Sequence, residues 1–397
     1  MRTIGIVSEY NPFHSGHAGQ IAALREAFGP HCAVVCAMSG NWVQRGQAAL
    51  ADKWTRAKLA LEGGADLVLE IPTLWAVASA ETFARGGVGV LAATGVVDTL
   101  SFGSEAGTLE PLEQAAQVLH TAPWQQALHR ELDRGLSFPA ARQRAAAALL
   151  GQQAAQCLGQ PNNNLGVEYL LAIQALEAPL TPHTLPRVGA GHDQAPAPGQ
   201  EHASASWLRR RILAEEPDAL SPYLPPQAEA RLRQDPASLS FCARGVLARL
   251  RAMDEEDFAQ LPDSGEGLSH RLYAAVQAAQ DLPDLYARVQ TKRYPLARVR
   301  RLVLWAFLGL TAQDRPAAPP YLRVLGFSGR GQALLRQMKT TAALPVLVKP
   351  AHAARLDPEG QRIFALEARC TALYDLCRRD FGRSPGPNEY TENPVRL

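Results

Sequence analysis

The 397-residue sequence lacks the features that would place it in several specialised classes of protein. It contains no run of about 18 uninterrupted apolar residues, which excludes a transmembrane helix. The apolar start of the chain meets Ser8-Glu9-Tyr10 before the core of a signal peptide could form, so we expect none. The 31 glycines and 29 prolines are close to average usage, which excludes a fibrous or wholly disordered chain.

An excess of charge of one sign is also missing. Lys and Arg total 40 against 38 Asp and Glu, which gives a net charge of +2. This balance excludes a strongly polycationic or polyanionic protein, but it is compatible with a local basic patch that binds nucleic acid.

The cysteines form no CxxC motif and no spacing typical of a zinc site. They are Cys32, Cys36, Cys157, Cys242, Cys370 and Cys377. The first two lie in an apolar run, and the last two are separated by two helical turns. We therefore expect buried, reduced thiols and a cytoplasmic protein.

The first half of the chain alternates short apolar runs with helix-like segments. We predict strands at 3–7, 33–38, 66–71, 98–102 and 181–186. We predict helices at 17–28, 52–62, 79–93, 164–176 and 204–213. This alternation is typical of βαβ units and a parallel sheet, in which ligands bind beyond the carboxyl ends of the strands. The predicted fold class is therefore α/β, with a Rossmann-like parallel-sheet domain over residues 1–215.

The second half shows no alternating strand pattern between residue 215 and residues 345–349. Its segments have helical periodicity instead. We therefore predict a mainly α-helical C-terminal domain over residues 216–397.

The first chemically informative segment directly follows the first predicted strand and opens a helix. It reads Asn11-Pro12-Phe13-His14-Ser15-Gly16-His17 and contains an HxGH motif. A helix N-terminus offers backbone N–H groups to a phosphate, and the two imidazoles can neutralise charge on α-phosphoryl oxygens. The motif predicts a nucleotide site, for which a metal-binding pair or two surface histidines are the alternatives.

A second segment of this kind begins the helix at 204–213. Ser204 or Ser206 would cap that helix, where hydroxyl and N–H groups can meet β- and γ-phosphates. Arg209 lies one turn further, in a position to hold pyrophosphate as it leaves. The alternative is an ordinary capped basic helix.

These motifs resemble the tRNA(Met) cytidine acetate ligases of the HIGH-type nucleotidyltransferase superfamily. The resemblance is carried by the segments IVSEYNPFHSGH (6–17), MSGNWVQRG (38–46), GADLVLEIP (64–72), FGSE (102–105), PNN (161–163), TKRY through RR (291–301) and RVLGF (323–327). The sequence departs from the family at Trp42, Gln47-Ala48, Asn164 and Ser206, and none of these departures removes a phosphate ligand.

The resemblance implies an enzyme that makes acetyl-adenylate from ATP and acetate, with Mg²⁺ bridging the phosphates. The acetyl group would then pass to N4 of the wobble cytidine of elongator tRNA(Met), which gives N4-acetylcytidine. The residues that the resemblance places on ATP are Val7, Ser8, Glu9, Tyr10, Asn11, Pro12, Phe13, His14, Ser15, Gly16, His17, Ala18, Gly19, Gln20, Gly103, Asn162, Asn163 and Arg187. The catalytic residues are predicted to be His14, His17, Ser204 and Arg209.

Each of the more distant ATP residues also has a structural interpretation. Gly103 would let adenine or ribose lie against the backbone, or it is a simple turn glycine. Asn162 and Asn163 would bond the ribose or adenine edge, or they cap the following helix. Arg187 would reach a phosphate, or it is a solvated surface group.

We place the acetate pocket in the polar loop 39–46, with Asn41 and Arg45, because this loop follows a strand. Residues 285–310 carry several basic side chains and no acidic one, together with Tyr286, Tyr294 and Trp305. A basic face with aromatic side chains suits an RNA backbone and an extruded base, whereas a solvated helix over a core is the alternative. The tRNA ligands predicted there are Lys292, Arg293, Arg300 and Arg301.

Two other functions stay open from sequence alone. The first is a small-molecule adenylyltransferase or ligase of the same superfamily. The second is an RNA-binding protein with a regulatory nucleotide site.

Overall fold

The apolar runs of the first half become the strands of one sheet in a computed structural model of the chain. The structure describes residues 2–119, 121–136, 138–187, 196, 202–216, 220–381, 386 and 388–397. The strands are β1 (Thr3–Ser8), β2 (Ala33–Ser39), β3 (Trp42–Val43), β4 (Gln47–Ala48), β5 (Leu67–Ile71), β6 (Thr99–Ser104), β7 (Thr181–Pro186), β8 (Leu322–Phe327), β9 (Val346–Leu347) and β10 (Val395–Arg396).

Helices follow the strands of the first half and dominate the rest of the chain. They are α1 (Ser15–Phe28), α2 (Lys53–Glu62), α3 (Thr73–Ala76), α4 (Ala80–Ala92), α5 (Glu110–Val118), α6 (Ala122–Asp133), α7 (Phe138–Leu150), α8 (Gln152–Cys157), α9 (Pro161–Ala175), α10 (Ala205–Leu213), α11 (Ala228–Gln234), α12 (Ala243–Arg251), α13 (Glu255–Ala259), α14 (Leu268–Ala278), α15 (Leu282–Val289), α16 (Leu296–Leu308), α17 (Gly329–Thr341) and α18 (Pro358–Asp375).

The main sheet has the strand order β10-β8-β5-β2-β1-β6-β7, and β9 pairs with β8. Five neighbouring strands of this sheet, β5, β2, β1, β6 and β7, run parallel to one another. Thr3 of β1 lies opposite Ala33 of β2, and Thr99 of β6 lies opposite Thr181 of β7. All residues of β2 are buried, as expected for a central parallel strand that is covered on both faces. The predicted α/β fold class is therefore confirmed, and every predicted strand and helix of the first half is found with its ends within three residues.

Each face of the sheet is covered by its own apolar core. Ile4, Ile6 and Val34 face the core that contains buried side chains of α1, α2 and α10. The other face packs against helices that include α4, α9 and α16. Gly5 permits the close approach on that face, because a Cβ there would lie 2.8 Å from Leu91 Cδ1.

The prediction that no strand occurs between residues 215 and 345 is wrong. Strand β8 pairs antiparallel with β5 in the main sheet, and β10 pairs with β8. All six residues of β8 are buried, so the strand lacks the apolar–polar alternation by which a half-exposed strand is found. The predicted strand at 345–349 is confirmed as β9. Strands β8 to β10 of the second half belong to the sheet of the first half. The domain boundary between residues 215 and 216 therefore stays a prediction.

The state of the cysteines and the length of the helices can be compared with the sequence-based expectations. All six cysteines are free thiols, and all are buried, as the sequence predicts. Within the described ranges, no helix is both long enough and apolar enough to cross a bilayer.

Candidate active site

The HxGH turn lies where β1 ends and α1 begins, at the edge of the sheet formed by the carboxyl ends of the parallel strands. Helix α1 begins at Ser15, two residues earlier than predicted, and His14 is its N-cap. The neighbouring strands β6 and β7 end at the same edge, where the Arg187 N–H donates to Ser104 O at 2.9 Å. The structure therefore places Arg187 at the same edge as the HxGH turn.

The two histidines of the motif are stacked and held by the backbone. Their ring centroids are 3.8 Å apart, at an interplanar angle of 28°. Nδ1 of His14 accepts from the Gly16 N–H at 3.1 Å, and Nδ1 of His17 accepts from the His14 N–H at 3.3 Å. Because both Nδ1 atoms accept, each neutral ring carries its proton on Nε2. The turn thus presents two Nε2–H donors.

Both rings are neutral over the physiological range. Removal from water, followed by the proximity of the basic groups His202, Arg187 and Arg209, lowers the pKa of His14 to about 3. The same removal from water, with His14 and Arg187, holds the pKa of His17 well below its usual range. The pair therefore stabilises developing negative charge by donating hydrogen bonds rather than as two cations.

This neutral state predicts how stability depends on pH. Between pH of about 6.5 and about 3, the unfolded chain protonates His14 and the folded chain does not. The unfolded state then binds more protons, so the free energy of unfolding decreases as the pH is lowered. The decrease is at most about 1.4 kcal/mol per pH unit for each such group. Urea titrations across this range should show a shallower dependence for His14→Asn than for the unchanged protein. Equal slopes would contradict the assignment.

Helix α10 brings the second predicted segment to the same turn. Ser204 is its N-cap, and the Ser204 hydroxyl accepts from the Trp207 N–H at 3.3 Å. One turn later, the Arg209 guanidinium donates to the backbone carbonyl of Asn11, in the turn that precedes the HxGH motif. The predicted phosphate-binding segments are therefore joined directly, although about 190 residues separate them.

A histidine that the sequence analysis did not select lies between these segments. Nδ1 of His202 is 2.9 Å from the Ser15 hydroxyl. Its ring contacts α1 on the side of Gly16 and Gly19, 3.8 and 3.9 Å from where their Cβ atoms would stand. Its position two residues before the serine cap Ser204 was the available signal in the sequence.

Buried aromatic side chains in and just before the HxGH segment pack against the His17 ring. Tyr10 and Phe13 are buried, and the Tyr10 ring meets those of Phe13 and His17 edge-on at 4.9 Å. The carbonyl of Glu9 accepts from the buried Arg56 guanidinium at 2.6 Å, and Glu9 Oε1 accepts from the Gln44 N–H at 2.7 Å. These contacts tie the end of β1 to the loop after β2.

The asparagine pair holds the loop after β6. Glu105 accepts from the N–H and side-chain amide of Asn162 and from the N–H of Asn163, at 2.6–3.2 Å. Asn163 is buried, and its Oδ1 accepts from the Ala106 N–H at 2.9 Å. The alternative that these residues cap a helix is wrong, because α9 begins at Pro161 and both lie in its first turn. Their contact with ATP stays a prediction.

Gly103 borders open space at the end of β6. A Cβ at this position would meet no atom within 4 Å. The surface there leaves room for a flat ligand group, and the contact of Gly103 with adenine or ribose stays a prediction.

The two residues predicted to bind acetate lie in different surroundings. Asn41 is buried, its Oδ1 accepts from the Lys53 N–H at 2.8 Å, and its amide donates to the Thr371 hydroxyl at 3.4 Å. Arg45 is exposed in the turn between β3 and β4. Its neighbour Gly46 has φ +70°, and a Cβ there would lie 2.5 Å from the backbone of α16. The side-chain oxygen and amide of Asn41 are thus engaged within the protein, while Arg45 is presented at the surface beside α16.

The basic segment around α16 is partly neutralised by carboxylates of the loop between α13 and α14. Asp263 and Glu266 lie near its arginines, although residues 285–310 contain no acidic side chain. The nitrogen–oxygen distances are 3.9 Å for Arg301–Asp263, 3.7 Å for Arg293–Glu266 and 3.0 Å for Arg298–Glu266. Among the residues that the structure describes, no carboxylate pairs with Lys292 or Arg300.

The prediction that the aromatic residues of this segment stack on RNA bases is wrong for two of the three. Trp305 is fully buried and donates from Nε1 to Val77 O at 2.6 Å. Tyr294 is buried and donates through its hydroxyl to Glu266 O. The third is Tyr286, and the Arg300 guanidinium lies over its ring, with Cζ 5.5 Å from the ring centroid. These rings belong to the helical core and support the basic side chains.

No group of three or more His, Cys, Asp or Glu side chains suited to a metal ion occurs in the described part of the chain. The groups around the start of α1 are imidazoles and guanidinium groups, which suit a polyanion better than a cation. The alternative that His14 and His17 are a metal-binding pair therefore has no further ligand among the described residues.

The chain is similar to known proteins over most of its length. Residues 1–386 match the family model described as HIGH Nucleotidyl Transferase. The chain is 34% identical to the tRNA(Met) cytidine acetate ligase of Acetivibrio thermocellus, over 100% of both chains. It is 40% identical to the protein of that name from Syntrophotalea carbinolica, over 87% of this chain and 84% of that one.

Solved structures show the same similarity over the whole chain. The apo form I crystal structure of Thermotoga maritima TmcAL superposes with a TM-score of 0.94 at 30% identity, and covers 100% of both chains. The structure of that protein bound with alpha-thio ATP superposes with a TM-score of 0.92 at 29% identity, again over 100% of both chains.

Proposed function

Because the chain belongs to the HIGH nucleotidyl transferase family, and within it to the ATP-dependent tRNA(Met) cytidine acetate ligases, we propose that it acetylates the wobble cytidine of elongator tRNA(Met). ATP and acetate would give acetyl-adenylate, and the acetyl group would then pass to N4 of the cytidine. The observation that carries the proposal is the stacked pair His14 and His17, at the turn whose Asn11 carbonyl accepts from the Arg209 guanidinium.

In the first step, an acetate oxygen attacks the α-phosphorus of ATP in line with the leaving group. The bond from that phosphorus to the bridging oxygen breaks, and its electron pair departs with pyrophosphate. His14 and His17 donate hydrogen bonds to the α-phosphoryl oxygens as charge develops, while Arg187 and Arg209 offset the charge of the phosphates. Positioning and electrostatics supply the rate, so no side chain needs to act as a nucleophile.

In the second step, the N4 amine of cytidine attacks the acetyl carbonyl carbon, and the carbon–oxygen bond to AMP breaks. The amine loses one proton to solvent, and the products are N4-acetylcytidine and AMP. Since the amine is shielded in a base stack, the cytidine must be extruded to reach the acyl group.

Mg²⁺ would enter as part of the substrate, bound to the phosphates of ATP. Such an ion neutralises phosphate charge during transfer. The basic and imidazole groups at the start of α1 are suited to the phosphate oxygens, not to the ion itself. We also propose a cytoplasmic location, which six free buried thiols and the tRNA substrate support.

Acetate-dependent ATP–pyrophosphate exchange, followed by acetyl transfer to tRNA(Met) transcripts, tests the proposal. Exchange that requires acetate establishes the acyl-adenylate, and N4-acetylcytidine in digested tRNA establishes the acceptor. A small-molecule adenylyltransferase would exchange without acetylating tRNA. An RNA-binding protein with a regulatory nucleotide site would bind tRNA and ATP but show no exchange.

Arg45 is the residue through which the acetate pocket can be tested. We expect Arg45→Ala to raise the KM for acetate about tenfold with little change in the KM for ATP, because one charge-assisted hydrogen bond to a carboxylate is lost. Arg45→Lys, which keeps the charge, should retain part of the affinity. The exchange assay at varied acetate measures both constants, and an unchanged acetate KM in Arg45→Ala would refute the assignment.

Lys292 and Arg300 are the basic side chains of this segment best placed to meet RNA phosphates, because carboxylates lie beside Arg293, Arg298 and Arg301. We expect Lys292→Ala and Arg300→Ala each to weaken tRNA binding and to reduce the slope of log K against log salt by about one. Filter binding at several salt concentrations measures this slope.

The matched control is Arg336→Ala, because this exposed arginine lies on α17. That helix begins beside the amino ends of the parallel strands, where the Ser328 hydroxyl donates to Asp66 at 3.0 Å. The tRNA affinity of Arg336→Ala and its slope of log K against log salt should equal those of the unchanged protein. Equal effects of all three substitutions would show that net charge, and not this surface, binds the RNA.

A further inference from the structure

We infer that His202 is a third imidazole of the nucleotide site, which contacts the β- and γ-phosphates of ATP and holds pyrophosphate as it leaves. The inference rests on the proposed function for the direction in which the phosphate chain runs, from His14 and His17 towards the Ser204 cap. The contacts of His202 itself are independent of that function.

The position of His202 is fixed by α1 and by the start of α10. Its Nδ1 lies 2.9 Å from the hydroxyl of Ser15, the first residue of α1. Cγ lies 3.8 Å from where a Gly16 Cβ would stand, and Cε1 and Nε2 lie 3.9 Å from the corresponding point at Gly19. The ring therefore lies along the first turns of α1, on the helix that carries the HxGH motif.

Its protonation pattern can match that of the other two rings. When the Ser15 hydroxyl donates to Nδ1, the neutral ring of His202 carries its proton on Nε2. His14 and His17 hold their Nδ1 atoms in the same way, through backbone N–H groups. Three imidazoles with engaged Nδ1 atoms then supply Nε2–H donors around the start of one helix, where an anion is favoured.

The electrostatics of the site favour a polyanion at this point. The groups whose proximity lowers the pKa of His14 are His202, Arg187 and Arg209, all of which are basic. The guanidinium groups of Arg187 and Arg209 attract a phosphate chain to this turn, and the imidazoles donate hydrogen bonds to it.

The chain direction assigns His202 to the outer phosphates. Ser204, two residues later, caps α10, and Arg209 on that helix bonds the carbonyl of Asn11. His202 thus approaches from the α10 side of the site, while His14 and His17 approach from the HxGH turn. In the adenylylation step, the electron pair of the broken phosphorus–oxygen bond goes to pyrophosphate, and His202 donates a hydrogen bond to that product without transferring a proton.

Binding of AMP, ATP and inorganic pyrophosphate to His202→Asn, measured by calorimetry, tests the inference. We expect affinity for ATP and for pyrophosphate to fall about tenfold, and affinity for AMP to stay unchanged, because AMP lacks the outer phosphates. The control is His183→Asn, because Nδ1 of this half-buried histidine is likewise held by a serine hydroxyl, that of Ser101 at 3.1 Å. His183→Asn should leave all three affinities unchanged.

Two results would overturn the inference. One is unchanged ATP affinity in a folded His202→Asn protein, and the other is an equal loss for AMP and ATP, which indicates a structural role only. If His202→Asn does not fold, His202→Ala decides, with the same expected losses for ATP and pyrophosphate and an unchanged affinity for AMP. None of these measurements requires acetate or tRNA. A protein that binds ATP through His202 but shows no acetate-dependent exchange would therefore refute the proposed function and leave this inference standing.

Discussion

Replacing His14 by asparagine should lower the rate of acetate-dependent exchange by about 10²–10³ and leave the fold nearly as stable as before. The lost group is the Nε2–H donor that we propose for the α-phosphate, where it would act as charge develops. Asparagine can still cap α1, because its side-chain oxygen can accept from a backbone N–H as Nδ1 of His14 does from Gly16.

His14→Ala is the companion variant, because it removes the donor and the cap together. We expect the same loss of exchange and, in addition, a loss of about 1 kcal/mol in the free energy of unfolding. Exchange rates at saturating ATP and acetate, with urea unfolding of the same preparations, separate the two effects. Retention of most of the exchange activity by His14→Asn would show that His14 serves the fold and not the chemistry.

Replacing Lys53 by methionine should cost about 3–5 kcal/mol of unfolding free energy, the largest stability effect that we expect from one substitution here. Lys53 is 0% exposed, and its ammonium group lies 2.6 and 2.7 Å from the two carboxylate oxygens of Glu70. It also pairs with the buried Glu389. Removing it leaves two buried carboxylates without their shared cation.

The dependence of this loss on pH and on a second substitution identifies its cause. Burial raises the pKa of Glu70, so acid conditions neutralise that carboxylate and should reduce the deficit of Lys53→Met. Adding Glu389→Gln should recover part of the stability. Lys58→Met, on the same helix and half-buried, should change the free energy of unfolding by less than about 0.5 kcal/mol. Urea titrations measure all four proteins, and a deficit below about 1 kcal/mol in Lys53→Met would contradict the buried-pair account.

The features that the sequence predicts correctly are encoded over short distances. A buried strand, the turn 11–17 and a following helix occupy one continuous segment, so strand, motif and helix start can be identified together. The contact between this turn and Arg209 is expected, because ligand-binding loops gather beyond the carboxyl ends of parallel strands. The predicted nucleotide site needs only those two pieces of information.

The features that were missed depend on burial and on partners far away in the chain. Strand β8 has no periodicity of its own because neighbours cover both of its faces. Trp305 and Tyr294 have the residue types of a base-stacking surface, and only the packing of α16 shows that both are core. His202 lies two residues before the cap of α10, and its place beside Ser15 follows only from the packing of α10 against α1.

The pairing of β5 with β8 has a consequence for how the protein is made. On the ribosome, β5 emerges about 250 residues before the strand that covers its edge, and Lys53 emerges 336 residues before Glu389. Through most of synthesis the nascent chain therefore exposes the outer edge of an apolar strand, and Lys53 lacks its second counter-ion. The sheet closes only once residues 389–396 have left the exit tunnel. A chain released before that point would present the edge of β5, through which it can bind chaperones or its own copies.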